Sequence, residues 1–371
     1  MAGLSRTISR AMIPAVVAAM VAGAATAQEA RLGIAGPYLA AAHAHAIGDV
    51  GAAARLFGEA LAHDPGNLDL LESAMTHQIA AGNVPQGIEL AARLEKDEPG
   101  HHLGVLALAA GELKAGDPAA AAALLPEDAP FVGRVMAAWA AYDQGEPDRA
   151  IRMLTELEAA DDNGLPGQIV AAYHLGMMQA ATGDDEAAAE SFARATEKAE
   201  GGTLRLARLH AGALARLGRT DEAMAVIQDR LAGTYGSRTL SQLSERISDG
   251  VAPDPLVTTG EQGAAEVLYG VSGLLARGQN RIIALAYSRL ATWLAPELTE
   301  AQLLVAQILD SNQQFEQAIA AYDAIPDDAP EALSARMGMA QALQAAGRTE
   351  EGLAAMRAAV EAFPDALEAH V

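Results

Sequence analysis

The stretch from Ala46 to Pro65 has a helical pattern of apolar positions between two sets of turn residues. Gly48 and Asp49 predict the turn before the helix, because glycine accepts the left-handed backbone of a helix exit and aspartate caps the next helix. Spacings of four and three residues place the apolar side chains on one helix face. They are Ala53, Phe57 and Ala60. Pro65 predicts the end of this helix, and because one helix hairpin cannot bury its own apolar face, the pattern predicts further copies.

The same features recur along the chain with a period of 34 residues. Turn glycines stand at Gly48, Gly82 and Gly116, helix-ending prolines at Pro65, Pro99, Pro296, Pro330 and Pro364, and small residues of the second helix at Ala284, Ala318 and Gly352. A helix-turn-helix unit of this length resembles the tetratricopeptide repeat family.

The resemblance implies an all-α fold, an α-solenoid of about nine helix hairpins that forms a right-handed superhelix. We expect six units over residues 28–232, an irregular insert or linker at 233–260, and three units over 261–371 with the start of a further helix. Pro126 predicts a short second helix in unit three. Gly87 and Ala91, which stand where the small residue and the phenylalanine belong, predict a loosely packed second helix in unit two. Inside the insert we expect a helix over 239–247 and then a loop. A break between two subdomains is the alternative.

The last seven residues, 365–371, resemble the opening turns of another first helix. Solenoids usually close with a helix whose outer face is polar, and the sequence shows none here. We therefore expect that the chain is part of a longer protein or that its C-terminal end docks on another surface. A second copy of the chain is one candidate for that surface.

The first 27 residues predict a secretory signal peptide. Arg6 and Arg10 form a positive segment, an apolar run follows over 11–24, and residues 25–27 read Ala-Thr-Ala, a small-x-small cleavage site. A membrane anchor is the alternative, but the run is shorter than the roughly 20 residues of a span and contains Pro14. We expect a periplasmic protein without a membrane span after cleavage.

Composition and charge narrow the partners and the chemistry. Hydrophobic residues make up 51% of the chain and aromatic residues only 4%, so small residues dominate, as close helix packing favours. The formal net charge of −23 disfavours nucleic acid and anionic lipid as partners, since both are anionic; solubility is the other explanation for this charge. The chain has no cysteine, which excludes disulfides and thiolate metal sites.

Sequence motifs for catalysis are absent. The chain has no phosphate-binding glycine loop, no H-E-x-x-H and no G-x-S-x-G, so we expect no catalytic residue and no cofactor. His43 and His77 hold equivalent positions in adjacent units, and stacked first helices would bring them together. A metal site would need a third ligand, and His45 lies on a different helix face. Partly exposed structural histidines are the alternative.

The family resemblance also implies a candidate binding surface. In tetratricopeptide solenoids the first helices line a concave groove, and set positions of each unit face it. Carried over unit by unit, these positions give Trp139, Tyr142, Tyr173, Met177, Arg205 and Arg208, with Arg216 just beyond. Aromatic and methionine side chains accept apolar groups, and arginine binds carboxylates bidentately, so we expect an acidic peptide. The alternative is that the aromatics are core between units and the arginines pair with nearby acids.

Together these patterns predict a non-catalytic periplasmic scaffold or adaptor. It would hold a protein or peptide partner in the groove, within a cell-envelope assembly or export complex. An accessory subunit of an envelope enzyme complex and a self-association module are the alternatives.

Overall fold

The computed structural model describes residues 35–160, 163–232, 238–278 and 280–364. Within these ranges the regular structure is helical throughout, and α1 spans 35–46. The helices that follow are α2 Val50–His63, α3 Leu68–Ala80, α4 Val84–Asp97, α5 His102–Lys114, α6 Pro118–Ala123, α7 Phe131–Asp143, α8 Pro147–Ala159, α9 Gly164–Ala181, α10 Asp185–Lys198, α11 Leu204–Arg216, α12 Thr220–Ala232, α13 Arg238–Ser248, α14 Gly260–Ala276, α15 Arg281–Leu294, α16 Thr299–Ser311, α17 Phe315–Asp323, α18 Ala332–Ala345 and α19 Thr349–Ala362.

The helices of the described ranges pair into nine hairpins, which confirms the predicted fold class. Units one to six are the successive pairs from α1–α2 to α11–α12, α13 stands alone, and units seven to nine run from α14–α15 to α18–α19. The predicted signal peptide and residues 365–371 lie outside the described residues. No helix in the described ranges combines the length and apolarity needed to cross a lipid bilayer.

The turns inside the hairpins follow the pattern that the sequence predicts. Gly48 has a φ of 75°, and the Asp49 side chain accepts a hydrogen bond from the Ala52 backbone N–H at 2.9 Å. Glycines with positive φ also form the turns of six other hairpins: Gly82, Gly116, Gly145, Gly183, Gly218 and Gly347. In unit eight the left-handed position is held by Gln313 instead, with a φ of 61°.

Small residues set the distance between the two helices of a unit. The predicted core face of α2 is buried, with Ala53 and Ala60 fully enclosed and Phe57 between them. The second helix of unit three is short, as expected, with six residues in α6. The expectation for unit two is wrong, however. A Cβ at Gly87 would lie 2.3 Å from Ile79 Cγ1, so the missing side chain lets α4 pack tightly on α3.

In its described part, 238–259, the segment between units six and seven consists of α13 and a connection without helix, 249–259. Helix α13 buries Leu240, Leu243 and Ile247 and packs against α11 and α12. At its start, the Arg238 guanidinium stacks over the ring of Phe363, which follows α19, at 5.0 Å. The end of unit nine therefore contacts the segment that follows unit six.

Unit seven lies against the first helices of units two to five. Helix α14 packs on α7 and touches α5 and α9, whereas α15 packs on α3 and touches α4 and α5. Unit eight reaches unit one, since a Cβ at Gly48 would lie 3.2 Å from Asn312 Cβ. The family resemblance implies that first helices line the concave face, so the C-terminal units fill a large part of the chain's own groove.

Candidate functional site on the concave face

Trp139 lies at the centre of the contact between units four and seven. It is completely buried, and a Cβ at Gly263 of α14 would lie 1.9 Å from its ring atom Cδ2. The indole Nε1–H donates to His174 Nδ1 at 3.0 Å, and burial lowers the pKa of His174 to about 3. The family resemblance places Trp139 on an open groove, with a core position as the alternative. In the structure Trp139 is a core residue between units four and seven, so an external partner could contact it only if unit seven moved away.

Two further predicted groove residues, Tyr142 and Tyr173, also face the C-terminal half of the chain. The Tyr142 hydroxyl donates to the Thr258 carbonyl at 3.4 Å, and the Tyr173 hydroxyl donates to Glu266 Oε2 at 3.3 Å. Burial and the nearby Glu266 carboxylate hold the pKa of Tyr173 well above its usual range, so its phenol stays protonated. Both aromatics therefore serve an internal contact, and their role in partner binding stays a prediction.

Arg205 connects unit six to units seven and eight through a buried ion-pair network. Its Nε donates to Glu266 Oε2 at 3.1 Å, its Nη2 pairs with Glu266 Oε1, and its Nη1 pairs with Glu300. Glu266 is only 3% exposed. Burial alone would lower the pKa of Arg205, but the adjacent Glu266, Tyr173 and Glu300 hold it well above its usual range. This arginine is committed to acids of its own chain.

A cavity of about 380 Å³ lies beside this network, where unit seven leaves the concave face uncovered. Helix α11, helix α13 and the connection 253–257 form its main walls, and Pro330, between units eight and nine, lines one side. Apolar lining residues include Met177, Leu209, Leu243, Pro253, Pro255 and Leu256. Of the predicted groove residues, Met177, Arg208 and Arg216 line this cavity.

The three arginines of the cavity wall differ in their partners. Arg216 is engaged, since it donates to Asp185 Oδ1 at 2.8 Å and to the Pro253 carbonyl at 3.0 Å. Arg208 approaches Glu300 only to 3.8 Å, which is too long for a hydrogen bond. In the parts of the chain that the structure describes, the guanidinium of Arg246 in α13 has no hydrogen bond or ion pair. Two guanidinium groups with free donors therefore border one cavity.

A second cavity, of about 170 Å³, adjoins the first and shares Arg208, Leu256, Val257 and Pro330 with it. Its charged lining is Arg205, Arg208, Glu266, Glu297 and Glu300. The larger cavity is lined by Arg208, Arg216, Arg246 and a single acid, Asp254. The larger cavity is thus basic and the smaller one acidic, although they share a wall.

Sequence reasoning missed Arg246 and the connection 253–257, because it assigned them to an insert outside the groove. The available signal was the amphipathic pattern of α13, which buries Leu240, Leu243 and Ile247 on one face and leaves Arg246 beside that face.

The contact between the histidines of units one and two also differs from the predicted one, which joined His43 to His77. His45 Nδ1, not His43, lies 3.0 Å from His77 Nε2, and His77 Nδ1–H donates to the Ser73 carbonyl at 2.7 Å. The side chain two residues further along α1 is therefore the one that reaches the adjacent helix. No group of three potential metal ligands converges among the described residues.

The fold and this site define a helical-repeat protein built from stacked hairpins. Residues 135–203 and 303–366 match the family model for the tetratricopeptide repeat. These two stretches therefore carry tetratricopeptide repeats, as the sequence resemblance implies, and such repeats are scaffolds for protein–protein interaction.

Solved structures of low sequence identity resemble the chain. A chain in a structure of Naa15/Naa10 bound to HypK-THB is 16% identical, with a TM-score of 0.33; the match covers 89% of this chain and 58% of that one. The present chain thus spans less than two thirds of that chain's length. The P58(IPK) TPR domain is 13% identical over 88% of this chain and 92% of its own, with a TM-score of 0.27. Yeast Tom70 is 10% identical over 86% and 90%, with a TM-score of 0.25. No curated protein sequence matches.

Proposed function

We propose that the protein is a non-catalytic scaffold of the bacterial periplasm that binds a protein or peptide partner in a cell-envelope assembly or export complex. The observation that carries this proposal is the basic cavity beside α11, the part of the concave face that unit seven leaves open. Its apolar walls and free arginine donors suit a peptide segment, and the repeat family supports binding as the class of function.

The binding part of this proposal is tested by filling the cavity. Gln242 lines its mouth on the exposed side of α13, so Gln242→Trp would occupy the space without removing a buried contact. The mature protein and this variant are each used to capture partners from an envelope extract of the native host. Gln86→Trp, on the exposed side of α4, is the control. We expect a dominant partner that Gln242→Trp loses and Gln86→Trp retains.

A partner retained by both variants would move the binding surface away from the cavity. Capture of the chain by itself alone, with a doubled mass in light scattering, would favour the self-association alternative. Turnover of a substrate by the captured complex that requires this chain would favour the accessory-subunit alternative.

The periplasmic part of the proposal rests on the pattern of residues 1–27 and has its own test. Fusion of residues 1–40 to alkaline phosphatase, which is active only after export, should give activity in a Gram-negative host. Deletion of residues 2–27 should abolish that activity. Equal activity from both fusions, or none from either, would contradict a secretory signal.

A further inference from the structure

We infer that the larger cavity is a carboxylate site: it binds an acidic side chain within a short peptide segment, and Arg208 and Arg246 donate the hydrogen bonds. This inference rests on the proposed scaffold function and specifies the chemistry of the partner at that site. The two arginines come from different elements, α11 and α13, and line the same space of about 380 Å³.

The charges of the two adjoining cavities select where an anion binds. Arg208, Arg216 and Arg246 face the larger cavity together with one acid, Asp254. The smaller cavity carries three glutamates, Glu266, Glu297 and Glu300, against two arginines. A carboxylate entering this part of the concave face is therefore attracted to the α13 side of Arg208 and repelled from the other side.

Arg208 lacks the compensation that Arg205 has. Glu266 and Glu300 both pair with Arg205, whereas the one ion pair of Arg208 is with the shared Glu300 at 3.8 Å. Glu331 and Glu266 attract Arg208 without pairing with it. Its side chain is only 27% exposed, so it has lost much of its water as well. Burial lowers the pKa of Arg208 accordingly. An added carboxylate would supply the acceptors that the protein does not.

The apolar walls indicate a peptide rather than a free carboxylic acid. Leu209, Leu243 and Leu256 line the space together with Pro253 and Pro255. The volume is at the lower end of the roughly 300–1,000 Å³ of ligand pockets, which suits a short segment and not a whole helix. An acidic residue flanked by apolar side chains would satisfy both the arginines and these walls.

The experiment measures binding by fluorescence anisotropy at low salt to a set of capped pentapeptides with central Glu, flanked by Leu, Phe or Pro. The matching set carries central Gln, and free glutamate serves as competitor. We expect the best Glu peptide to bind about tenfold or more tightly than its Gln counterpart, because it gains charge-assisted hydrogen bonds. Arg208→Gln and Arg246→Gln should each weaken the Glu peptide by about tenfold and leave the Gln peptide unchanged.

Arg152→Gln is the matched control, since Arg152 is an exposed arginine of α8 and lies away from both cavities. It should bind every peptide like the wild type. The inference would be overturned by equal affinity for the Glu and Gln peptides or by full affinity of Arg246→Gln for the Glu peptide. It would also be overturned if free glutamate competed as effectively as the peptide, or if no peptide bound. The scaffold proposal is judged separately by partner capture with Gln242→Trp, so the two can fail independently.

Discussion

The concave face of this protein has a part that unit seven covers and a part that it leaves open. The two parts differ more in what packs against them than in their own sequence. Trp139 and Tyr173, on first helices α7 and α9, lie beneath unit seven and bond to other residues of the chain. Arg208, on the next first helix, borders a cavity. Groove positions on neighbouring first helices are therefore core where unit seven packs on them and candidate binding surface where it does not. Unit seven lies more than 50 residues further along the chain.

The boundary between the two parts runs along α11 itself. Arg205 and Arg208 are one helical turn apart, yet Arg205 pairs with a buried glutamate, whereas Arg208 borders the cavity and has Glu300 no closer than 3.8 Å. In the covered part, C-terminal units of the same chain occupy the surface where a partner would bind. Only the open part is accessible to a partner without rearrangement of the chain.

The largest effect is expected for Gly263→Ala, which should expose the part of the concave face that unit seven covers. A Cβ at Gly263 would lie 1.9 Å from Trp139 Cδ2, so unit seven and α7 would have to separate. We expect a loss of more than about 3 kcal/mol in the free energy of unfolding, the upper range of overpacking costs, and exposure of Trp139. Urea denaturation and the tryptophan emission maximum, in a Trp293→Phe background, measure both effects.

Gly270→Ala is the control for that substitution, because Gly270 lies in the same helix and a Cβ there meets nothing within 4 Å. It should stabilise the protein by about 0.5–1 kcal/mol through helix propensity. An unchanged emission maximum and unchanged stability in Gly263→Ala would contradict the tight contact between units four and seven.

The ion pair that joins the two halves gives the next largest expected effect. Glu266→Gln removes the buried charge that faces Arg205 and leaves this arginine with Glu300 alone. We expect a loss of about 3 kcal/mol in the free energy of unfolding, because a buried cation loses most of its compensation. Urea denaturation of the purified variant measures it.

Glu261→Gln serves as the comparison, since Glu261 also joins α14 to the N-terminal half, through Lys114 at 2.6 Å, but is 32% exposed. Glu261→Gln should lower the free energy of unfolding by less than about 1 kcal/mol, as for surface ion pairs. Similar losses for the two variants would show that burial does not distinguish these two contacts.

Acid should weaken the covered part through His174. Burial lowers the pKa of His174 to about 3, whereas an unfolded histidine titrates near 6.5, so only the unfolded state takes up the proton between these values. Stability is therefore full above pH 6.5 and falls as the pH decreases, by about 2 kcal/mol at pH 5 from this residue. His174→Gln should remove that part of the pH dependence while its amide oxygen still accepts the Trp139 N–H. Parallel stability curves for wild type and variant between pH 7 and 5 would contradict this.

The sequence predicted the repeats well because their signals are local. Each signal depends on residues within one hairpin: the 34-residue period, the turn at Gly48 and the helix end before Pro126. The structure has each of them as expected. The covering of the groove is a contact between residues more than 100 positions apart, such as Trp139 and Gly263, and it leaves no periodic trace. The glycine itself was a usable sign, because a glycine inside a helical pattern usually has a packing reason. Arg205 and Arg208 look alike in sequence, so their different surroundings could be seen only in the fold.

The smallest effect is expected at the open side of that boundary, for Arg208→Gln. The Arg208 side chain forms no hydrogen bond with an acid among the described residues, and Glu300, at 3.8 Å, keeps its pairing with Arg205 when Arg208 is replaced. The variant should change the free energy of unfolding by no more than about 0.5 kcal/mol, in contrast to the loss expected for Glu266→Gln. Urea denaturation of the two variants side by side measures the difference. A large loss in Arg208→Gln would mean that this arginine holds the closed arrangement together. A small loss combined with weaker peptide binding would separate the residue that stabilises the fold from the residue that serves a partner.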